Sequence, residues 1–106
     1  PVVVKKEEKT LTAEYITYLV TQNLEDEDVV VDHVEQRKNT VVVSFDSKAK
    51  PVKSCSKEME TLILNCFASS LLDNVKNCEN IIYRCKNKRY KSSHRSFGFN
   101  EVYASA

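Results

Sequence analysis

The chain has 106 residues, of which 42% are hydrophobic and 29% are charged, and its net charge is +1. This length and this balance are typical of one folded domain and exclude a chain that is disordered throughout. Apolar runs stay well short of the roughly 18 residues of a membrane span, and we expect no anchor or signal peptide within these residues. Because the first residue is Pro1 rather than Met, we expect that a segment was removed before it. The removed segment is a candidate signal peptide or anchor.

Charge is distributed unevenly along the chain. Residues 1–50 carry seven Lys and Arg against ten Asp and Glu, a net charge of −3, whereas residues 51–106 carry nine against five, a net charge of +4. An acidic front and a basic rear predict either an uneven solvated surface or the steering of head-to-tail self-association or of a charged partner.

Residues 1–9 are interpreted as a linker or a short first strand, and residues 10–106 as a single domain. A helical pattern runs from Leu11 to about Leu24 after Thr10, and Glu14 is placed to stabilise its first turn. Five residues form its predicted apolar face: Tyr15, Ile16, Leu19, Val20 and Leu24.

An acidic run follows this helix and consists of Glu25, Asp26, Glu27 and Asp28. Negative charge opposes the dipole at a helix C-terminus, so the helix should stop by about Leu24. The run lacks the alternating ligands and the central glycine of an EF-hand, which favours a solvated connection or an acidic counter-surface for a partner over a calcium site.

The pattern of residues 29–35 predicts a strand, with Val29, Val31 and His33 on one side and Val30 and Val34 on the other. A polar turn at 37–39, with Asn39 suited to a left-handed backbone, leads into a second strand at 40–45. The sequence therefore predicts a β-hairpin, followed by a connecting loop at 46–54.

The second helix has the strongest pattern and is capped by Ser54 or Ser56, with its end near residues 73–74. Its apolar stripe is wide enough to be buried against both the sheet and the first helix: Met59, Leu62, Ile63, Leu64, Cys66, Phe67, Ala68, Leu71 and Leu72. Residues 81–85 predict a third strand, and Tyr90 a short fourth, after a turn at 86–89. The tail at 97–103 shows no clear period.

The predicted class is α+β, a small mixed or antiparallel sheet of three to four strands with two helices on one face. The element order is (β)αββαβ(β). Each element then buries its one apolar side.

Four cysteines, Cys55, Cys66, Cys78 and Cys85, lie in the rear half at spacings that match no zinc ribbon or redox motif. We expect free thiols, since Cys66 and Cys85 fall on apolar faces. A helix-to-sheet disulfide is the alternative if the protein is extracytoplasmic.

The sequence contains few residues that are arranged as in a catalytic site. His33 and His94 lack a partner at a recognised catalytic spacing, and Asp32 is expected on the strand face opposite His33. The single glycine, Gly98, excludes a glycine-rich phosphate loop. We therefore expect no enzyme activity, no metal site and no cofactor.

One basic stretch is the candidate binding surface. Its cations are Arg84, Lys86, Lys88, Arg89, Lys91 and Arg95, interleaved with the aromatic residues Tyr83 and Tyr90. Cations that neutralise phosphates, with rings that stack on bases, are typical of a single-stranded nucleic-acid surface. Lys and Arg at a hairpin tip also serve solubility and discourage edge pairing, and an anionic protein or envelope polymer is an equal alternative as ligand.

Four segments together resemble the GerMN domain, the sporulation and spore-germination domain of Gram-positive bacteria. They are residues 11–16, 39–46, 56–72 and 75–90, a pattern of strand, helix and hairpin that covers about residues 10–100. The chain has Lys86-Asn87-Lys88 where the family usually has Asp-Gly-Lys, and it carries cysteines that the family does not require.

The resemblance implies a non-catalytic, extracytoplasmic module, often lipid-anchored, that builds protein assemblies in the envelope or the sporulation septum. The predicted partner is a protein or a second copy of the chain, bound at the sheet edge or face, and the acidic run would meet the basic hairpin of a neighbour. The alternative is a cytoplasmic nucleic-acid-binding domain that uses the basic hairpin at 84–95.

Overall fold

A computed structural model of the chain describes residues 11–106. The interpretation of residues 1–9 as a linker or strand lies outside the described residues. The elements are α1 (Ala13–Asn23), β1 (Val31–Arg37), β2 (Thr40–Phe45), α2 (Lys57–Asn74), β3 (Asn80–Cys85), β4 (Lys88–Arg89) and β5 (Val102–Ser105), with a 3-10 turn at Glu25–Glu27.

The strands form one mixed sheet. β1 and β2 are the predicted antiparallel hairpin, and β2 runs parallel to β3 because α2 carries the chain back across the sheet. β4 and β5 share the other edge of β3, β4 along Arg84 and Cys85 and β5 along Asn80 to Ile82. The α+β class with a mixed sheet is thus confirmed, with five strands among the described residues rather than three to four.

The core lies between the helices and one face of the sheet. Val41, Val43 and Phe45 of β2 and Ile81 and Tyr83 of β3 are fully buried there, as their alternation predicts. They pack with the buried residues of both helices in one continuous cluster. Both helices therefore cover the same face, as predicted.

α1 begins later and buries a narrower face than predicted. Thr12 caps it by accepting a hydrogen bond from the Tyr15 amide, while Thr10 lies outside the described residues. Ile16 and Val20 are buried, but Tyr15 is 41% and Leu19 37% exposed. The predicted five-residue stripe is wrong at these two positions, because the buried stripe is centred on Ala13, Ile16, Thr17 and Val20.

α2 begins after Ser56, whose hydroxyl accepts from the Met59 amide, and ends at Asn74, both as predicted. It packs against α1 and the sheet. Leu62 is 56% exposed, contrary to prediction, and the side chain of Glu60 is fully buried in its first turn. The burial of Glu60 was not predicted, because a carboxylate at that position also fits a solvated first turn.

Two turns differ from their predicted geometry. In the hairpin, Lys38 rather than Asn39 has the left-handed backbone, with φ 52°. Lys86 and Asn87, with φ 50° and 62°, form a two-residue turn from β3 into β4. The fourth strand is therefore Lys88–Arg89 and ends before Tyr90.

β1 starts with an irregularity that overturns its predicted alternation. Val31 lies opposite Phe45, and His33 opposite the adjacent Ser44, so the register shifts between Val31 and His33. Val31 therefore packs against the core together with Val34, whereas His33 belongs to the other face. The strand also begins at Val31 rather than at residue 29.

Candidate interaction surfaces

The two aromatic residues of the basic stretch lie in the core. Tyr83 and Tyr90 have no exposed surface and pack at 5.5 Å and 6.2 Å from the ring of Phe45. Tyr83 donates its hydroxyl hydrogen to the Leu64 carbonyl, and burial raises its pKa. Neither ring is placed to stack on a base, so that part of the predicted surface is wrong.

Two of the six cations are also held by the protein itself. Arg84, which is 4% exposed, donates from Nε to the Phe99 carbonyl at 2.9 Å and from Nη2 to Oδ1 of Asn100 at 2.8 Å. Arg95 donates from Nη2 to the Thr61 hydroxyl at 2.6 Å, and its Nε lies 3.4 Å from Oε1 of Glu60. These side chains hold the segment after β4 against the sheet and α2.

Lys86 bridges two carboxylates at one end of the sheet. Its Nζ lies 3.4 Å from Oδ1 of Asp32 and 3.4 Å from Oδ2 of Asp46. Hydrogen bonding and charge attraction to Asp32 and Asp46 raise the pKa of Lys86. The bond from His33 lowers the pKa of Asp32, and the bond from the Lys48 amide lowers that of Asp46.

Lys88, Arg89 and Lys91 are the exposed cations of the basic stretch that make no ion pair within residues 11–106. Arg89 donates from Nε to the Phe97 carbonyl at 3.3 Å, which fixes part of its side chain. The basic surface is therefore a short strip along β4, smaller than the eight-residue set predicted.

The acidic run lies where the sequence predicts, directly after α1. Glu25, Asp26 and Asp28 are exposed, and Asp28 has a left-handed backbone with φ 54°. Glu27 pairs with Lys50, with Oε1 3.0 Å from Nζ, and this contact raises the pKa of Lys50. The run therefore presents an acidic surface just before β1.

His33 and Asp32 lie on the same side, contrary to prediction. Nδ1 of His33 is 3.0 Å from Oδ2 of Asp32 because the register shift in β1 turns the two side chains together. His94 contacts the Cys55 carbonyl at 2.8 Å through Nε2. Within residues 11–106, no group of three His, Cys, Asp or Glu side chains is arranged to hold a metal ion.

A groove between α1 and β1 is the surface that sequence patterns did not predict. Its volume is about 390 Å³, and Thr17 and Tyr18 of α1 and Val30 and Val34 at β1 are among its lining residues. The Thr17 hydroxyl is buried and has no hydrogen-bond partner within the described part of the chain. The groove is mostly apolar, with a buried polar group on its wall.

An exposed apolar patch continues from this groove along α1. Tyr15 lies one turn before Tyr18 and Leu19 on α1, and all three are exposed, as is Val30 beside the groove. Tyr18 is exposed although it directly follows the buried Thr17. The sequence signal for this patch was a helix whose apolar residues lie on more sides than one packing partner can cover.

The four cysteines are free, as expected. Cys78 is buried, and Cys66 and Cys85 are half-buried against the core. Burial raises the pKa of Cys55, Cys78 and Cys85. A raised pKa keeps these thiols protonated and unreactive near neutral pH.

These features define an α+β domain with two helices on one face of a mixed sheet, an exposed apolar groove and separate acidic and basic surface strips. Among residues 11–106, none of the helices has the length and apolar character that a membrane span requires. Comparison with protein-family models, curated proteins and solved structures gives no match. The resemblance to the GerMN domain therefore stays a prediction.

Proposed function

We propose that this chain is a non-catalytic protein-interaction module that binds an extended segment of a partner protein along the outer edge of β1. The observation that supports this function is the position of a free sheet edge beside an apolar groove. Among the described residues β1 pairs with β2 alone, and the groove between β1 and α1 runs along its other side.

The edge of β1 supplies the main-chain part of such a site. In an antiparallel pair every second residue of an edge strand directs its N–H and C=O away from its neighbour, and an added strand can bond to them. β1 has seven residues, whereas β4 and β5 at the opposite edge have two and four. β1 is thus the longer template for an added strand.

The groove supplies side-chain specificity. Alternate side chains of an added strand would enter the space between Tyr18 and Val30, with Val34 beside them. The Thr17 hydroxyl is fully buried, so a ligand in the groove does not reach it. An apolar side chain fits this lining.

Charge around the groove favours a basic ligand. Glu14 lines the groove, and the exposed acidic run of Glu25, Asp26 and Asp28 directly precedes β1. These carboxylates would repel Asp or Glu of the ligand and would attract Lys or Arg at low salt. The partner segment therefore combines apolar and basic residues.

The resemblance to the GerMN domain extends the proposal to the biological setting. Under it the module is extracytoplasmic in a Gram-positive bacterium, possesses a lipid anchor in its full-length form, and assembles envelope or sporulation proteins. Detection of the protein in membrane or secreted fractions would separate this setting from the cytoplasmic alternative.

The test is selection of linear peptides from a random displayed library on the full chain. Selected peptides should be rich in apolar and basic residues, and binding should slow hydrogen exchange at alternate amides of β1. We expect Tyr18→Ala to weaken their binding by about tenfold, a loss of roughly 1.4 kcal/mol.

Leu62→Ala is the matched control, because Leu62 on α2 is 56% exposed and Tyr18 is 55% exposed. It should leave peptide affinity unchanged. Equal loss in both variants, or exchange protection outside β1, would overturn the assignment of this edge. A β1-to-β1 dimer without peptide would redirect it to self-association.

Nucleic-acid binding is a second candidate function, favoured by the exposed strip of Lys88, Arg89 and Lys91. Without stacking rings from Tyr83 and Tyr90, binding would depend on phosphate contacts and weaken steeply with salt. The test is titration with labelled single-stranded RNA and DNA at low salt, with Arg89→Gln expected to reduce binding. Absence of binding there eliminates this function.

A further inference from the structure

A second depression lies on the face of the sheet that the helices do not cover. We call this the open face; it is defined by Glu35, Arg37, Val42, Ile82 and Arg84. The depression has a volume of about 390 Å³, within the range of small-molecule sites. Its apolar floor is Val42 and Ile82, which are 2% and 8% exposed.

Positive charge at this depression exceeds negative charge. Arg37, Lys38 and Arg84 all line it. Glu35 pairs with two of these cations, with Oε2 2.8 Å from Nε of Arg37 and Oε1 3.7 Å from Nη1 of Arg84. The residues that line the depression include three cations and no Asp or Glu, so positive charge is in excess there.

Arg84 is both buried and held in place. The ring centroid of Phe99 lies 3.6 Å from its guanidinium carbon, and Nε and Nη2 donate to Phe99 and Asn100. Nη1 donates no hydrogen bond within residues 11–106, and its contact with Glu35 at 3.7 Å is too long for one. A fixed guanidinium with a free donor is preorganised for an oxyanion.

We propose that this depression binds a small organic anion, an oxyanion group on an apolar body. The oxyanion accepts from Nη1 of Arg84 and is attracted by Arg37 and Lys38, while the apolar body lies on Val42 and Ile82. The site is separate from the groove of α1 and β1 and does not depend on peptide binding there.

The test is titration of the isotope-labelled full chain with benzoate, phenyl phosphate and inorganic phosphate, followed by the amide signals of residues 37–40 and 100. Benzoate or phenyl phosphate should give saturable shifts there, and the tighter of the two identifies the oxyanion as carboxylate or phosphate. Inorganic phosphate should bind more weakly, because it makes no contact with the apolar floor.

The variant Arg37→Gln with Lys38→Gln should weaken binding of the tighter probe by about tenfold or more. Both side chains are exposed, so the variant should fold, and its amide spectrum checks this. Lys88→Gln with Arg89→Gln makes the same change in net charge elsewhere and should leave affinity within about twofold.

Three results would overturn the site: no saturable shift with any probe, equal weakening in both double variants, or inorganic phosphate binding as tightly as phenyl phosphate. The first excludes a site, the second shows general charge attraction, and the third removes the apolar body from the ligand class.

Discussion

Glu60 is fully buried on α2, with its Oε2 2.5 Å from the hydroxyl oxygen of Tyr90 and its Oε1 3.4 Å from Nε of Arg95. Tyr90 is itself fully buried, and burial together with the bond to Glu60 raises its pKa. Tyr90 therefore donates its hydroxyl hydrogen to Oε2 of Glu60 within the core. Removal of one partner from such a group costs more than the bond itself contributes.

Tyr90→Phe should lower the free energy of unfolding by about 1–3 kcal/mol, because Oε2 of Glu60 then stays buried without a donor. Chemical denaturation measures this change. The control is Tyr103→Phe, which removes a hydroxyl bonded to the exposed Asn65 and should cost less. Equal losses in the two variants would contradict the importance of burial at Glu60.

Lys86 controls two neighbouring carboxyl groups, which gives a pH test at the same scale. The pKa values of Asp32 and Asp46 are lowered from their ordinary value of 3.8. A lowered folded-state pKa contributes stability that is present above about pH 3.8 and is lost as pH falls through the folded-state values.

In Lys86→Gln, nuclear magnetic resonance titration should show the pKa of both carboxyl groups moving up, because the attraction of the ammonium is removed. The acid side of the stability curve should flatten accordingly. Lys88→Gln, which alters an exposed lysine without these contacts, should leave both pKa values unchanged. No change in Lys86→Gln would mean that the ion pairs do not form in solution.

At the scale of elements, α1 and β1 each keep groups that no neighbouring element covers or pairs. α1 has the buried, unpaired hydroxyl of Thr17 on one side and the exposed rings of Tyr15 and Tyr18 on another. β1 has one free edge within the described chain. The two elements thereby form an apolar surface that, under the proposed function, an added strand would cover.

Thr17→Val tests the cost of the buried hydroxyl separately from that of the exposed apolar residues. The substitution keeps the branched shape and removes the unpaired hydroxyl, so the free protein should gain about 1 kcal/mol of stability. Peptide affinity should stay unchanged, because the buried hydroxyl is closed to a ligand in the groove. Thermal or chemical unfolding measures the first effect and peptide titration the second. Destabilisation by Thr17→Val would show that the hydroxyl already has a partner.

At the scale of the whole molecule, charge is separated along the chain and partly neutralised within the fold. The acidic front half and the basic rear half meet at the contacts of Lys86 with Asp32 and Asp46. The acidic run before β1 and the basic strip along β4 remain exposed. Head-to-tail contact between copies is the association that these two exposed strips would stabilise.

We expect weak self-association at low salt that disappears at physiological salt, where the screening length is about 8 Å. Sedimentation velocity measures it. Lys88→Glu with Arg89→Glu should abolish it, whereas Lys53→Glu with Lys76→Glu, the same charge change at exposed sites elsewhere, should not. Association that is insensitive to salt would indicate apolar contact instead.

The local sequence pattern was sufficient to predict much of the architecture. The alternation of residues 40–45 and 81–85 and the stripe around Ile63, Phe67 and Leu71 predicted buried strand faces and a helix on them, because such periods leave one apolar side to bury. Ser56 as a cap and Asn74 as an end followed from local hydrogen bonding and were confirmed. Free thiols at Cys66 and Cys85 were likewise expected from their apolar positions.

Tertiary structure alone decided which polar and aromatic residues reach the surface. Tyr83 and Tyr90 resembled stacking rings in the sequence but fill the core, and Glu60 is buried because Tyr90 and Arg95 arrive from a distant segment. The shift in β1 that joins Asp32 to His33 depends on pairing with β2. Periodicity describes one element at a time, whereas burial and pairing depend on what other elements bring alongside it.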